Sequence, residues 1–139
     1  MTDCIFCKIV KKEIPAHIVY EDKKTLAFLD IASASPKGGH TLVLPKNHYE
    51  LVSEISEEDS KAVMLTIQKL SKALLQFSEG LNIIQNNKKV AGQLVPHVHF
   101  HLIPRFEDDG ITLEKWFPHK FPNHNGMDKI TEKIKSLLK

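Results

Sequence analysis

Apolar and polar residues alternate strictly over residues 97–102, which is the clearest strand signal in the chain. Side chains alternate between the two faces of a strand, so His97, His99 and His101 are predicted to share one face, and the intervening apolar residues the other. We predict this strand from Val98 to Ile103. Three imidazoles on one short strand face are more typical of a functional site than of a protein core.

A period of three to four residues marks the longest predicted helix. It starts after Ser56, whose side chain suits an N-cap and is followed by three acidic residues in the first turn. Its apolar face consists of Val63, Ile67, Leu70, Leu74 and Phe77. Gly80 is expected to be its C-cap. A shorter C-terminal helix is predicted from Met127 to Lys139.

The other predicted elements are short apolar runs separated by turn residues. Four strands are expected at His17 to Tyr20, Thr25 to Leu29, His40 to Leu44 and Leu81 to Gln85. A short helix is expected from Cys4 to Lys12. About five strands with two main helices predict an α+β fold with an antiparallel sheet. We expect one domain over residues 1–139, with an ordered C-terminal tail from about residue 107.

Composition narrows the possible partners and the compartment. Nineteen basic and seventeen acidic residues leave a net charge of +2, so no nucleic-acid partner is expected. There is no apolar run long enough for a membrane span and no signal-peptide pattern, so no membrane partner and a cytoplasmic location are expected. In that compartment the two cysteines are more typical of thiols or metal ligands than of a disulfide.

The three histidines of the predicted strand are compatible with three kinds of site. They could be structural, but each buried imidazole would then need hydrogen-bond partners. All three could bind one metal ion. Alternatively, one imidazole could attack phosphorus while its neighbours bind charge or carry protons, as in phosphoryl or nucleotidyl transfer.

The run from His97 to Ile103 resembles the signature of the histidine triad family of nucleotide hydrolases and transferases. Residues 4–10, 27–31, 39–46 and 91–93 are similar to further blocks of that family, in the same order. The resemblance covers roughly residues 4–106 and is closest to the Hint-like branch. It implies the HIT-like fold and an enzyme that cleaves at the α-phosphorus of purine nucleoside 5′-phosphoramidates or acyl-adenylates and releases a nucleoside monophosphate.

The resemblance also implies a role for each histidine of the signature. His99 would be the nucleophile that forms a nucleotidyl-histidine intermediate, which divides one difficult displacement into two easier ones. His101 would contact the phosphate, and His97 would orient the triad through its backbone carbonyl. Asn86 would support the site from the end of the preceding strand.

Further positions are implied to bind the substrate. Gln93 would lie in the phosphate loop, where Gly92 lets the backbone approach closely. Asp30 would accept hydrogen bonds from the ribose hydroxyls. The slot for the base would be formed by Phe6, Ile9, Phe28 and Ile31, although core packing is an equally good interpretation of Phe28.

One position departs from the family pattern. Family members often carry Ser or Thr after the Gly-Gln pair, whereas this chain has Leu94, so we expect a changed leaving-group preference. A dinucleoside polyphosphate hydrolase is therefore an alternative. Two others remain open: a nucleotide-binding protein with incidental hydrolysis, and a hydrolase whose zinc ion activates water.

Cys4 and Cys7 form a Cys-x-x-Cys pair, which by itself is compatible with a redox pair or with two buried thiols. Family members with this motif bind zinc through two cysteines and two histidines, which match His48 and His97 here. The resemblance therefore implies a structural zinc, because four protein ligands leave no open position. No organic cofactor is expected. It also suggests a homodimer formed by the long helix and a sheet strand. The remaining histidines, His40 among them, are expected to be surface or packing residues.

Overall fold

The computed structural model describes residues 3–116, 118–119 and 124–138. Its helices are α1 (Ile5–Val10), α2 (Glu57–Phe77) and α3 (His124–Leu137), and its strands are β1 (Ile18–Glu21), β2 (Thr25–Leu29), β3 (Thr41–Pro45), β4 (Gly80–Gln85) and β5 (Phe100–Arg105). Two 3-10 turns lie at Val52–Glu54 and Lys89–Ala91.

The strands form one antiparallel sheet in the order β1-β2-β3-β5-β4. β5 is the last strand in the sequence, yet it lies between β3 and β4, because α2 carries the chain from β3 to the far edge. The segment with the three histidines therefore runs into the interior of the sheet. The predicted α+β class, with five antiparallel strands and two main helices, is confirmed.

The two faces of the sheet are covered by different helices. Under α2, the buried cluster consists of Ala27, Val43, Val63, Ile67 and Leu102. On the other face, α1 completes a cluster of Cys4, Phe6, Cys7, Ile9, Leu26, Phe28, Leu42 and Leu44. Because side chains alternate along β5, Leu102 packs under α2 while His101 lies on the face that α1 partly covers.

Helix α2 begins as predicted and ends earlier than predicted. The Ser56 side chain accepts a hydrogen bond from the Asp59 backbone N–H, as an N-cap should. At the other end, the Ser78 backbone N–H donates to the carbonyl oxygen of Leu74 at 2.9 Å. The prediction of Gly80 as C-cap was wrong, because Ser78 already satisfies that carbonyl and Gly80 is free to begin β4.

The start of β5 also differs from the prediction. The backbone N–H of Val98 donates to the carbonyl oxygen of Tyr49 at 2.7 Å and not to a neighbouring strand. Regular pairing therefore begins at Phe100, two residues later than predicted. This leaves His97 in a bend and His99 in the segment that follows it, both before the strand, and His101 within the strand.

The C-terminal part begins with a turn around Arg105, whose Nε donates to Asp109 Oδ2 at 2.8 Å. Trp116 is 78% exposed, and the apolar residues of α3, such as Ile134, are also exposed. Residues 117 and 120–123 lie outside the described part, so the ordered tail from about residue 107 stays a prediction. Among the described helices, none has the length and apolar character needed to cross a membrane.

Candidate active site and metal cluster

A cavity of about 580 Å³ opens on the face of the sheet that α1 partly covers. Of the predicted site residues, those that line this cavity are Phe6, Ile9, Phe28, Asp30, Ile31, Asn86, Gly92, Leu94, His99 and His101. The structure thus brings together residues from α1, two strands and two loops. His97 and Gln93 are not among the lining residues, and both are buried beside the cavity.

One end of the cavity is an apolar slot between α1 and β2. The rings of Phe6 and Phe28 meet edge to face, with centroids 5.4 Å apart. Ile9 is buried against them, whereas Ile31 is 92% exposed at the rim. The Phe6 ring also meets the His99 ring edge to face at 5.0 Å, so the slot leads directly to the histidines.

The His99 imidazole has its tautomer set by the backbone. Its Nδ1 lies 2.7 Å from the carbonyl oxygen of His97, which can only accept, so Nδ1 carries the proton and donates. Burial lowers the pKa of His99 below its usual value, which keeps the ring neutral at neutral pH. The other nitrogen, Nε2, then has a free lone pair on a ring that lines the cavity, as a nucleophile requires.

The tautomer of His101 is set through its neighbour His40, which is only 4% exposed. The backbone N–H of Ala34 donates to His40 Nδ1 at 2.9 Å, so the proton of the neutral ring is on Nε2. That Nε2–H lies 2.9 Å from His101 Nδ1 and 3.6 Å from Asp30 Oδ2. His101 Nδ1 must accept, so its Nε2 carries a proton that can be donated to a ligand.

Burial also lowers the pKa of His101, to about 4, and the neighbouring imidazoles His99 and His40 lower it further. The pKa of His40 is lowered by burial as well. Both rings are therefore neutral at neutral pH, and the hydrogen-bond direction set by Ala34 is maintained. The site offers a neutral N–H donor and not an imidazolium charge.

Ligand atoms of Asp30, His40 and His101 lie within 4.8 Å of one another, which raises the possibility of a metal ion. His40 argues against it. Because the Ala34 N–H occupies Nδ1, Nε2 carries the proton and has no lone pair for a metal. These residues are better described as a hydrogen-bond relay.

Sequence reasoning missed His40, which was expected at the surface or in packing. Its contact with His101 depends on the pairing of β3 with β5, in which Leu42 lies opposite His101. These strands are far apart in the sequence, so no local pattern indicates the contact. Only a correct strand order would have placed His40 beside the triad.

The loop between β4 and the triad histidines is fixed by hydrogen bonds of the Gln93 side chain. Its Oε1 accepts from the Lys88 backbone N–H at 2.7 Å, and its Nε2 donates to the carbonyl oxygen of Glu50 at 2.8 Å. Gln93 lies in the predicted loop, but its side chain fixes the loop from behind. Gly92 has φ of 96°, and a Cβ there would lie 3.6 Å from Asn86 Nδ2. The half-buried Asn86 amide is thus adjacent to the loop backbone.

A second group of possible metal ligands, separate from Asp30, His40 and His101, is formed by Cys4, Cys7, His48 and His97. Their ligand atoms all lie within 4.8 Å of one another. His97 Nδ1 is 3.4 Å from Cys4 Sγ and 3.2 Å from His48 Nδ1. His48 Nδ1 is 3.3 Å from Cys7 Sγ. Ligands about 2.0–2.3 Å from a tetrahedral metal ion are separated by about 3.3–3.8 Å, so these distances fit four-coordinate binding.

The hydrogen bonds around this cluster suit metal binding. His97 Nε2 lies 2.9 Å from the carbonyl oxygen of Pro45 and must donate to it, which leaves the Nδ1 lone pair toward the thiols. Burial lowers the pKa of His97 to about 4, so the ring is neutral. The backbone N–H of Cys7 donates to Cys4 Sγ at 3.3 Å. His97 thus connects both sites: its ring lies in the cluster and its carbonyl oxygen orients His99.

Comparison with known proteins agrees with this geometry. The family model of the HIT domain matches residues 11–108. A HIT-like protein of Methanocaldococcus jannaschii is 54% identical over 112 residues, which cover 77% of this chain and 82% of that protein. The crystal structure of a HIT family member from Bacillus subtilis superposes with a TM-score of 0.89 at 39% identity, and covers 99% of this chain and 98% of that chain.

The chain belongs to the histidine triad family. Within it, the chain is of the Hint-like branch. A relative from Candida albicans, named adenosine 5′-monophosphoramidase HNT1, is 37% identical over 141 residues, which cover 97% of this chain and 91% of that protein.

Proposed function

We propose that this protein is a nucleotide hydrolase that cleaves purine nucleoside 5′-phosphoramidates or acyl-adenylates through a nucleotidyl intermediate on His99. The observation that carries the proposal is the tautomer of His99, whose Nδ1–H is bonded to the His97 carbonyl so that Nε2 is free in the cavity. The relatives named as adenosine 5′-monophosphoramidases support this reaction class.

In the first step, His99 Nε2 attacks the α-phosphorus, the Nε2–P bond forms and the bond from phosphorus to the leaving nitrogen or oxygen breaks. In the second step, water attacks phosphorus and the Nε2–P bond breaks, which regenerates His99. Overall one water is consumed. With an amidate substrate, the departing amine takes a proton from solvent in the first step. In the second step the oxygen and one proton of the attacking water stay on the nucleoside monophosphate, and its other proton returns to solvent.

The rest of the site holds the nucleotide. The slot of Phe6, Ile9 and Phe28 has the flat apolar walls that a purine ring fills. Asp30 Oδ1 accepts from the Ala32 N–H at 2.8 Å, which fixes a carboxylate that can also accept from ribose hydroxyls. His101 Nε2–H would donate to a phosphate oxygen as charge develops in the transition state.

The charge of the site favours a substrate with a single phosphate. Among the described residues, no lysine or arginine lines the cavity. Neutral imidazoles and the Asn86 amide can bind one phosphate, but a longer phosphate chain would add negative charge without a cation to balance it. We therefore rank dinucleoside polyphosphates below amidates and acyl-adenylates.

We further propose that Cys4, Cys7, His48 and His97 hold a structural zinc ion, because the donor set and separations suit it. When bound, the metal would tie α1 to the triad segment, with no position open for catalysis. Cys4 and Cys7 are not joined in a disulfide, which is compatible with zinc binding in a reducing compartment, and we propose a cytoplasmic location.

The proposal is tested with adenosine 5′-phosphoramidate as substrate, comparing the wild type with His99→Ala. We expect AMP release by the wild type and a loss of at least about a thousandfold in the variant, which lacks the nucleophile. Rapid acid-free quenching should trap AMP covalently on the wild type and not on the variant. Turnover that survives in His99→Ala would refute the nucleophile, and nucleotide binding without turnover in the wild type would favour the binding-protein alternative.

A further inference from the structure

A depression lies between α2 and the hairpin of β1 and β2, and we call it the basic groove. Its volume is about 320 Å³, and its lining includes Tyr20, Lys23 and Lys24 of the hairpin and Leu65 and Lys69 of α2. None of its lining residues also lines the active-site cavity. β1 is the edge of the sheet opposite β4, so the basic groove is separate from the edge at β4 as well. A molecule bound in it would leave both the cavity and that edge accessible.

Two contacts align the hairpin with the axis of α2. At one end, the Lys24 ammonium forms an ion pair with Glu58, in the first turn of α2. At the other end, Tyr20 contacts Lys69, which follows Glu58 by eleven residues. A helix rises about 1.5 Å per residue, so the two contacts are about 16 Å apart along α2. The basic groove is therefore elongated, with a lysine near each end.

The ammonium group of Lys69 is held in position by a neutral partner. Its Nζ lies 4.7 Å from the centroid of the Tyr20 ring and donates to the Tyr20 hydroxyl oxygen at 3.1 Å. Among the described residues, no carboxylate pairs with it. None of the residues three or four positions away on α2 is acidic. Because an ammonium group has three N–H donors, Lys69 retains donors for an external anion.

Positive charge dominates the lining of the basic groove. Lys23 is exposed and forms no ion pair within the part of the chain that the structure describes. The acidic residue of the lining is Asp22, whose carboxylate is used within the hairpin. Its Oδ1 accepts from the Lys24 backbone N–H at 2.9 Å, and its Oδ2 accepts from the Tyr20 hydroxyl at 2.9 Å. Two ammonium groups without a carboxylate partner thus outweigh one hydrogen-bonded carboxylate, and the balance attracts an anion.

The basic groove also has apolar surface between its cations. Leu65 is 64% exposed, although it lines a concave surface. It shares one face of α2 with Ala62 and Lys69, because these residues are three and four positions from it. An exposed leucine beside ammonium groups can bind an apolar side chain whose neighbours are acidic.

We propose that the basic groove is a docking site for an acidic segment of a partner protein. The segment is an extended stretch of about five residues, which spans about 16 Å, with carboxylates at both ends and an apolar side chain between them. The carboxylates bind Lys23 and Lys69, and the apolar side chain packs on Leu65. A single phosphate group is too small to contact both ends of the basic groove. This inference does not depend on the proposed function, because the two sites share no residue.

The test measures binding of two fluorescein-labelled peptides with blocked termini, Glu-Glu-Leu-Glu-Glu and Gln-Gln-Leu-Gln-Gln, by fluorescence anisotropy. The acidic peptide should bind the wild type at least about tenfold more tightly than the neutral one at low salt, and its affinity should fall as salt is added. Its addition should shift the backbone amide NMR signals of Lys23, Leu65 and Lys69, and leave those of His99 and His101 in place.

Variants on α2 locate the binding. Lys69→Ala should weaken binding of the acidic peptide at least about fivefold, and Leu65→Ser about threefold, because a charge partner and an apolar contact are lost. Lys61→Ala removes the same charge from the same helix outside the basic groove, and should bind the peptide like the wild type. All three side chains are exposed, so the variants should fold, and hydrolysis of adenosine 5′-phosphoramidate should not change.

Three results would overturn the inference. The first is equal binding of the acidic and neutral peptides. The second is an equal loss of affinity in Lys61→Ala and Lys69→Ala, which would indicate attraction by overall charge. The third is displacement of the acidic peptide by inorganic phosphate at matched ionic strength, which would indicate a site for one small anion.

Discussion

The chemistry of the site depends on single hydrogen bonds that choose between two tautomers of a neutral imidazole. The carbonyl oxygen of His97 places the proton of His99 on Nδ1, and the N–H of Ala34 places that of His40 on Nε2. The first tautomer leaves a lone pair on His99 Nε2. The second makes His40 Nε2–H a donor to His101 Nδ1, so the proton of His101 lies on its Nε2. Both tautomers are set by backbone groups, so neither depends on a charged neighbour.

Replacement of His40 tests the second tautomer. In His40→Ala, His101 Nδ1 loses its donor, so its proton is no longer confined to Nε2. We expect kcat to fall by at least about tenfold with a smaller change in KM, since the donor acts mainly on the transition state. Nitrogen-15 NMR should show His101 changing from one tautomer to a mixture. His40→Asn, which can still donate, should recover part of kcat, and an unchanged His101 tautomer in His40→Ala would contradict the relay.

Protonation of His101 should make stability depend on pH. Its pKa is about 4 in the folded protein, below the ordinary 6.5. As pH falls below about 6.5, the unfolded chain therefore binds a proton that the folded protein resists, and each pH unit costs up to about 1.4 kcal/mol of unfolding free energy. This loss is absent at higher pH.

The measurement is urea unfolding of the wild type and of His101→Gln at about pH 7.5 and about pH 5. Between these values we expect the unfolding free energy of His101→Gln to decline less, by about 1–2 kcal/mol, because glutamine takes up no proton. Titrating groups that do not contact His101 are common to both proteins and cancel. Parallel declines would show that His101 protonation does not limit stability.

At the scale of elements, local patterns predicted what local forces determine. The period of Val63, Ile67 and Leu74 predicted α2. The alternation around His99 predicted that His99 and His101 face the same side, where both line the cavity. It did not predict that the His97 ring lies in the other cluster. What could not be predicted depends on contacts between distant segments. The start of β5 depends on a hydrogen bond from Val98 to Tyr49, and the position of His40 depends on the β3–β5 pairing.

Helix α1 is the element that the proposed zinc ion would stabilise most. It has six residues, which is too short for a stable isolated helix, and Cys4 is its N-cap. We expect purified protein to contain about one zinc ion per chain, by elemental mass spectrometry, and Cys7→Ser to contain much less. Chelation of the wild type should lower Tm by several degrees and increase hydrogen exchange in α1 before α2.

Lys8→Ala is a control for this prediction, because it changes α1 without touching the cluster, and its zinc content should equal that of the wild type. A wild-type protein that binds no zinc, or a Tm that chelation does not change, would leave the cluster as four packed side chains. Loss of the metal should also displace His97, whose carbonyl oxygen orients His99. A moderate decrease in kcat is therefore expected.

At the scale of the whole molecule, the described chain leaves apolar surface without cover. β4 is an edge of the sheet and pairs on one side only among the described strands. Ile83 on β4 is 50% exposed, and Met64 on α2 is 60% exposed. An unpaired edge next to exposed apolar residues is a surface that a second copy can cover by a two-fold contact. We therefore predict a homodimer formed through α2 and β4.

The two edges of the sheet provide a matched test of that dimer. Ile83→Lys on β4 places a charge on the predicted contact, whereas Val19→Lys places one on β1, the opposite edge, where Val19 is 47% exposed. Light scattering after size exclusion should give twice the chain mass of 15.8 kDa for the wild type and Val19→Lys, and the single chain mass for Ile83→Lys. A monomeric wild type would refute the dimer. If only Val19→Lys dissociated the dimer, the interface would lie at β1 and not at β4. The reason is that a lysine buried in an interface without a partner destabilises that interface.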